Sequence, residues 1–241
     1  TPFLKGNPEG SQETYKKSFF MKKTTKRKDI KDVKITKELR DILHGYIMSD
    51  GYIRNGVLTV DQSKKQKLFV RWLYTKFKPI RTSSPIKEVI RTQPTNQTKT
   101  YSLRFFTRAI LKGFHHMWYE PVINKEGSIK SRKKLPKSID CFFNANFISI
   151  WYAGDGTKTI GSIGAQFEVT SFTIEERLKL KNLFFTKFGI QTQIISSGLS
   201  KKGNRQWALK INAPEYPKFR AFITKIDLIP TIFPYKLHKK I

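Results

Sequence analysis

Leu43-His44-Gly45-Tyr46-Ile47-Met48-Ser49-Asp50-Gly51 decides the fold, because Ile148-Ser149-Ile150-Trp151-Tyr152-Ala153-Gly154-Asp155-Gly156 answers it later in the chain. In the first stretch Leu39, Ile42, Leu43, Tyr46 and Ile47 fall at the i, i+3, i+4 spacing of one helical face, and the helix runs into Asp50-Gly51, where Gly can end it. The second helix carries Ile148, Trp151 and Tyr152 and ends at Asp155-Gly156. A single Asp-Gly at a helix end says little beyond a stop. Two of them at equivalent points of a repeat can meet at a pseudo-twofold axis, which places Asp50 beside Asp155. Paired carboxylates repel unless a divalent cation lies between them, so this arrangement predicts a Mg²⁺ site. Gly45 and Ser49 in one helix, and Ser149 and Ala153 in the other, lie a turn apart and predict close helix packing.

Working outward, each helix is followed by the same order of elements. After the first come a strand (57–62), a Ser63-Lys64-Lys65-Gln66 capping box opening a helix through Phe77, strands at 86–93 and 100–106, and a short helix at 109–118. After the second come a strand (166–171), a capping box at Thr173-Ile174-Glu175-Glu176 opening a helix to Phe188, strands at 190–197 and 205–212, and a helix at 214–226. Thr75-Lys76-Phe77 and Thr186-Lys187-Phe188 repeat the same three residues. The predicted organisation is a basic arm (1–34), a first half (35–118), a linker (119–138) and a second half (139–241). The predicted class is α/β (α+β), with two pseudo-symmetric halves.

Charge points to the partner. Lys and Arg number 47 against 18 Asp and Glu in 241 residues, a formal net charge of +29, and such self-repulsion is normally tolerated in a protein that meets a polyanion. The apolar content of 38% is enough to fill a core and argues against disorder. Cys141 stands alone, so neither an internal disulfide nor a cysteine-rich zinc site can form, and any metal is held by oxygen. No apolar run reaches the length of a membrane span, and the start lacks a hydrophobic signal region. A chain beginning at Thr1 is expected to be trimmed or fused. His115-His116 lacks a third ligand at suitable spacing and is expected on a helix surface. Gly156 to Gly161 has P-loop glycine spacing, but Ser162-Ile163 stands where Lys-Ser/Thr is required. Trp72, Trp118, Trp151 and Trp207 lie in apolar patterns and are expected in the core.

The first stretch resembles the LAGLIDADG motif of homing endonucleases, and the second resembles a degenerate copy. The first keeps the leading Leu, the first Gly and the Ile. The second has Ile150 at that Gly, and both lack the earlier Asp, having Met48 and Ala153. The repeated pattern downstream extends the resemblance from residue 36 to the end. It implies an intron-encoded, organellar (mitochondrial or other) enzyme in which each half lays an antiparallel sheet into the major groove of double-stranded DNA, the motif helices forming the interface between the halves. It also implies that Asp50 and Asp155 bind Mg²⁺ and help water attack a phosphate on each strand.

Family members place a basic helper near each scissile phosphate. Tyr235-Lys236-Leu237 resembles that pattern in the second half, and Lys133 and Lys134, before Leu135-Pro136, are both candidates in the first. Gln62 resembles a polar residue that orients water, with Ser171 as its counterpart and a departure from type. DNA reading falls to strand faces pointing away from the helices: Lys87, Arg91, Gln93, Thr100, Ser102 and Arg104 in the first half, and Gln166, Glu168, Gln191, Gln193, Gln206 and Lys210 in the second. Ile86, Ile90, Tyr101, Leu103 and Phe105 face the helices. Arg and Gln pair bidentately with guanine and adenine edges. The halves differ on these faces, which predicts a monomer on one long, non-palindromic site. Two alternatives share the fold: an intron maturase that binds intron RNA, and a DNA binder without activity.

Overall fold

The computed structural model describes residues 33–93, 97–123 and 127–239. The basic arm expected at 1–34 lies, apart from its last two residues, outside the described residues. Val33–Ile241 form one compact unit.

Helix α1 (Lys37–Met48) is started by Thr36, whose hydroxyl accepts from Leu39 N, and it is buried along nearly its whole length from Leu39. Strands β1 (Tyr52–Arg54) and β2 (Val57–Ser63) form a hairpin. Its turn is Asn55-Gly56 with φ of 51° and 76°, the left-handed pair that a two-residue hairpin turn requires. Helix α2 (Lys67–Lys76), strands β3 (Lys87–Thr92) and β4 (Lys99–Phe106), and helix α3 (Lys112–Trp118) complete the half. The order then repeats as α4 (Ala145–Asp155), β7 (Gly156–Lys158), β8 (Ala165–Glu168), α5 (Ile174–Phe188), β9 (Gln193–Leu199), β10 (Arg205–Ile211), α6 (Tyr216–Ile223) and α7 (Leu228–Ile232). The sheets have matching antiparallel orders, β1-β2-β4-β3 and β7-β8-β10-β9. Between the halves the expected linker contains an antiparallel hairpin, β5 (Tyr119–Ile123) with β6 (Ile129–Lys133).

The two expected capping boxes part company. Thr173 and Glu176 form a complete one: Glu176 N donates to Thr173 Oγ1 at 3.3 Å and Thr173 N donates to Glu176 Oε2 at 2.8 Å. Ser63 instead accepts from Lys65 N and opens a 3-10 turn, Lys64–Gln66, while Gln66 Nε2 turns away to donate to Tyr235 OH at 3.1 Å. Glu176 carries a second duty, since it also accepts from Arg132 Nη1 and Leu135 N and so ties the inter-half segment to α5. We expect Thr173→Ala to cost about 1 kcal/mol, the usual value of a lost cap. Glu176→Ala should cost more, and urea melts compare the two; equal losses would remove Glu176 from the inter-half anchor.

One apolar core runs through both halves, with Trp118 and Trp151 fully buried and Trp72 and Trp207 packed partly buried against it. Inside it, His44 Nδ1 accepts from Trp118 Nε1 at 2.9 Å and its ring stacks on Phe142. Burial, with the nearby charge of Arg40, pushes its pKa down to about 3, so the ring stays neutral. His115 and His116 lie on α3, His115 stacking on Tyr119.

Helices α1 and α4 cross at the centre, and the contact residues differ from those expected. A Cβ at Gly45 would lie 2.6 Å from Phe147 O and 2.8 Å from Ile150 Cβ, and one at Gly154 would lie 2.5 Å from Ser49 Cβ. Gly45 and Ser49 therefore pack as expected, but their partners are Ile150 and Gly154. Ser149 points the other way and donates to Ile223 O of α6 at 3.3 Å, and the Ala153 carbonyl is taken by Lys236. In the two motifs Gly45 is equivalent to Ile150, and Ser49 to Gly154. Each pair meets itself across the axis, and a side chain on one helix is matched by a glycine on the other.

Candidate nuclease centre

Both motif helices end at this crossing, with their terminal carbonyls and carboxylates side by side. The Asp50 carboxylate accepts from Gln62 Nε2 at 2.9 Å, and Gln62 also donates to Tyr46 OH at 3.3 Å. A Cβ on Gly154 would stand 2.7 Å from Asp50 Oδ2, so the bare glycine of α4 leaves the space that the α1 carboxylate uses. Burial, and then the charge of Asp50, pushes the Asp155 carboxyl up to about 7, with Lys133 and Lys236 pulling the other way and Glu168 adding to the rise. Asp155 is half-buried and Asp50 exposed.

Each helix end has its lysine. Lys133 Nζ, from the last residue of β6, donates to Ser49 O at 2.7 Å. Lys236 Nζ, from the turn after α7, donates to Tyr152 O, Ala153 O and Gly154 O at 3.0, 2.7 and 3.2 Å. Since Ser49 and Gly154 are equivalent, these contacts are related by the pseudo-twofold axis. A cation at a helix C-terminus is favoured by the unsatisfied carbonyls and the dipole. Burial lowers both amines, Lys236 to about 8, while Asp50 and Asp155 oppose the change. Of the two candidates Lys133 and Lys134, only the first reaches the helix end; Lys134 turns toward Glu120 at 3.8 Å, because neighbouring residues of a strand point to opposite faces.

The expected counterpart of Gln62 is a correction. Gly156 pairs with Phe167 as Gly51 would pair with Val60, so Gln62 is equivalent to Val169 and Asp61 to Glu168. Ser171 is exposed in the turn before α5, and the buried Val169 takes the position of Gln62. The second half thus lacks the amide that holds the first carboxylate. Gly154, Tyr119 and Glu168 belong to the neighbourhood without having been assigned to it from sequence. Tyr119 OH donates to Gly51 O at 3.2 Å and accepts from Ile53 N, fixing the turn that carries Asp50.

A hard divalent cation fits this donor set. Two carboxylates converge, and the charge of Asp50 helps raise the Asp155 carboxyl. Mg²⁺ is commonly held by one or two carboxylates, with water and substrate phosphate completing its octahedron.

On the faces of the sheets turned from the helices, Asp61, Arg104 and Lys87 form one row across β2, β4 and β3. The equivalent row in the second half is Glu168, Ala208 and Ile195. Gln193, Lys210 and Gln166 form a second polar row there, but Gln191 precedes β9 and lies beside Lys181 and Phe185 of α5. On the opposite face Phe105 is buried and Ile86 and Leu103 pack on the core, while Ile90 and Tyr101 stand 58% and 43% exposed where β3 and β4 outrun the helix layer.

Comparison with known proteins agrees with this layout. No curated protein sequence matches the chain. Its fold is similar to that of the homing endonuclease I-WcaI bound to its DNA recognition sequence, with a TM-score of 0.66, 18% identity, and coverage of 86% of this chain and 88% of the other. I-DmoI in complex with DNA and Mn is similar at a TM-score of 0.44 and 15% identity, over 79% of this chain and 98% of the other. The family model described as the LAGLIDADG DNA endonuclease family matches residues 40–219. With the two motif helices crossing at residues within that match, the chain belongs to the LAGLIDADG DNA endonuclease family.

Proposed function

We propose that this chain is a divalent-metal-dependent endonuclease that makes a double-strand break in one long, non-palindromic DNA site, acting as a monomer. The observation that supports it is the convergence of Asp50 and Asp155 at the crossing of α1 and α4, each beside a lysine anchored on a motif-helix carbonyl. Asp50 and Asp155 would hold Mg²⁺, which supplies Lewis-acid stabilisation of phosphate charge and lowers the pKa of water. Gln62 fixes the rotamer of Asp50. Lys133 and Lys236 would serve as the basic helpers of the two strands, each leaving its helix carbonyls to meet a phosphate oxygen, and the Lys236 amine, lowered to about 8, can exchange a proton near neutral pH.

The two sheet faces would lie in the major groove. They differ in chemistry, with Arg104 and Lys87 in one half where the other has Ala208 and Ile195, so they read different half-sites. Twofold symmetry would force a homodimer onto a palindrome; one chain with unlike halves has no such need. Binding selection from randomised duplexes in Ca²⁺, followed by incubation of the selected duplex with Mg²⁺, tests the proposal. We expect an asymmetric site, cut on both strands, with one protein per duplex by light scattering. A selected duplex that stays intact in Mg²⁺, or two chains on a symmetric site, rejects the corresponding part.

Binding should also fall steeply with salt. A chain of net charge +29 covering a long duplex releases many counterions, and the slope of log K against log salt is about −0.9 per phosphate contact. We expect a slope of about −5 or steeper; a nearly flat plot would exclude binding along the groove.

A further inference from the structure

Asp61 is a carboxylate on the face that is to meet a polyanion, where on its own it repels phosphate. The structure shows what it does instead. Its Oδ2 accepts from Arg104 through Nε at 3.0 Å and through Nη2, and also from Arg91 Nη2. Arg91 Nη1 donates to Ser102 Oγ at 3.0 Å, and Ser102 is buried beneath it. Burial alone would raise the Asp61 carboxyl, but Arg104, Ser102 and Arg91 hold it below the usual carboxylate range. Asp61 faces Arg104 directly in the β2–β4 register, while Arg91 reaches it diagonally from β3.

Two consequences follow from charge and geometry. The cluster of two guanidiniums and one carboxylate carries a single net positive charge, so it gives up attraction for phosphate. In return two flexible, rotamer-rich side chains are fixed before DNA arrives. Both guanidiniums keep donors to spare: each has five N–H donors, Arg104 gives Asp61 its Nε and Nη2 side, Arg91 gives one donor each from Nη1 and Nη2, and the Arg91 and Arg104 side chains remain 47% and 31% exposed. The second half has no such arrangement, because Glu168, the equivalent of Asp61, pairs with Ala208, whose partner on the far side is Ile195.

We propose that Asp61 is a positioning residue for sequence discrimination, presenting Arg91 and Arg104 as a fixed pair of forks to neighbouring guanine-containing base pairs of one half-site. This rests on the reading of the chain as a sequence-specific DNA binder. An arginine fork reads guanine O6 and N7 in the major groove, and two forks held on one carboxylate set the spacing between the two pairs they read.

Selection from randomised duplexes in Ca²⁺, without cleavage, tests it on wild type, Asp61→Ala, Asp61→Asn and Asp61→Glu, with melting curves for each. Wild type is expected to fix guanine at two neighbouring positions. Asp61→Ala should lose that preference by roughly five- to hundredfold at those positions only, the value of a bidentate contact, while affinity for mixed-sequence DNA holds or rises as a negative charge is removed. Asp61→Glu should recover part of the preference. Asp61→Asn, of the same shape, gives the same answer if the alanine variant melts too early. Unchanged guanines in the alanine and asparagine variants overturn the inference, as does blurring at all positions together with a lowered melting point, the mark of a plain strand staple. A wild type that selects no sequence overturns the proposed function as well, whereas a selected site indifferent to Asp61 overturns this inference alone.

Discussion

Asp50→Asn and Asp155→Asn are each expected to abolish double-strand cleavage of the selected duplex, by about a thousandfold or more, while specific binding in Ca²⁺ stays within a few-fold of wild type. Each change removes one of the two carboxylates proposed to hold the cation and leaves the sheet faces untouched, and several kcal/mol of charge stabilisation at the phosphate would be lost with it. Asp155→Asn has a second consequence. Burial and the charge of Asp50 hold the folded Asp155 pKa at about 7, against an ordinary value of 3.8. A carboxyl whose pKa rises on folding favours its neutral form in the fold. Ionisation therefore costs stability, the cost growing from about pH 4 to pH 7 and complete above that, at up to about 4 kcal/mol less what residual solvent screens. In metal-free buffer the Asn variant should melt above wild type at pH 8, with the gap closing near pH 4. Mg²⁺ should narrow the gap at pH 8 by compensating the charge. Cleavage by either variant at wild-type rate, or equal melting points at pH 8, would remove the carboxylate pair from the centre.

The parts of this site that could be read from sequence are those with a period or a repeat. Helices α1 and α4, their Asp-Gly ends and the matching elements downstream show as a 3.6-residue pattern followed by the same order of elements, and Asp50 and Asp155 come with them. The Asn55-Gly56 turn between Ile53 and Val57 also carries the hairpin signature, yet β1 and β7 are only three residues each, too short for an alternating pattern to appear. Position within the pattern was harder to read. Ser149 and Ala153 share one helix face and Ile150 and Gly154 the next, about 100° round, and both faces are buried, so apolar content cannot tell which one meets α1.

Tertiary geometry decided the remaining positions. Lys133 and Lys134 are chemically alike, and only the β5–β6 pairing, Tyr119 with Lys133 and Glu120 with Arg132, settles which faces Asp50. The counterpart of Gln62 shifted because sequence counting carries no register, whereas pairing of β7 with β8 and β8 with β10 puts Val169 there. Asp61 is silent in the sequence because its partners are two arginines 30 and 43 residues away. A carboxylate alternating onto the same face as cationic strand residues was the available signal.

The crossing of α1 and α4 gives the other large effect. Gly154→Ala places a methyl 2.5 Å from Ser49 Cβ and 2.7 Å from Asp50 Oδ2, so either the helices separate or the Asp50 carboxylate swings aside. Overpacking of this kind costs about 1–3 kcal/mol, which a core as large as this one survives. Catalysis is less forgiving, since a displacement of about 1 Å at reacting groups costs about a hundredfold. We therefore expect Gly154→Ala to fold, to bind the selected duplex, and to cut it at least about a hundredfold more slowly. The pseudo-twofold relation supplies the control. Ser49 and Gly154 are equivalent positions that meet each other, so Ser49→Gly added to Gly154→Ala restores one small residue against one glycine, with the side chain now on the other helix. The double variant should recover much of the cleavage rate, and a thermodynamic cycle in melting free energy should show coupling of about 0.5–3 kcal/mol. The same relief is not open to Gly45, because a Cβ there would also stand 2.6 Å from the backbone oxygen of Phe147, which no change at Ile150 removes. Wild-type cleavage by Gly154→Ala, or additive effects in the cycle, would show that α1 and α4 do not meet at these residues, and the placement of Asp50 beside Asp155 would fall with that contact.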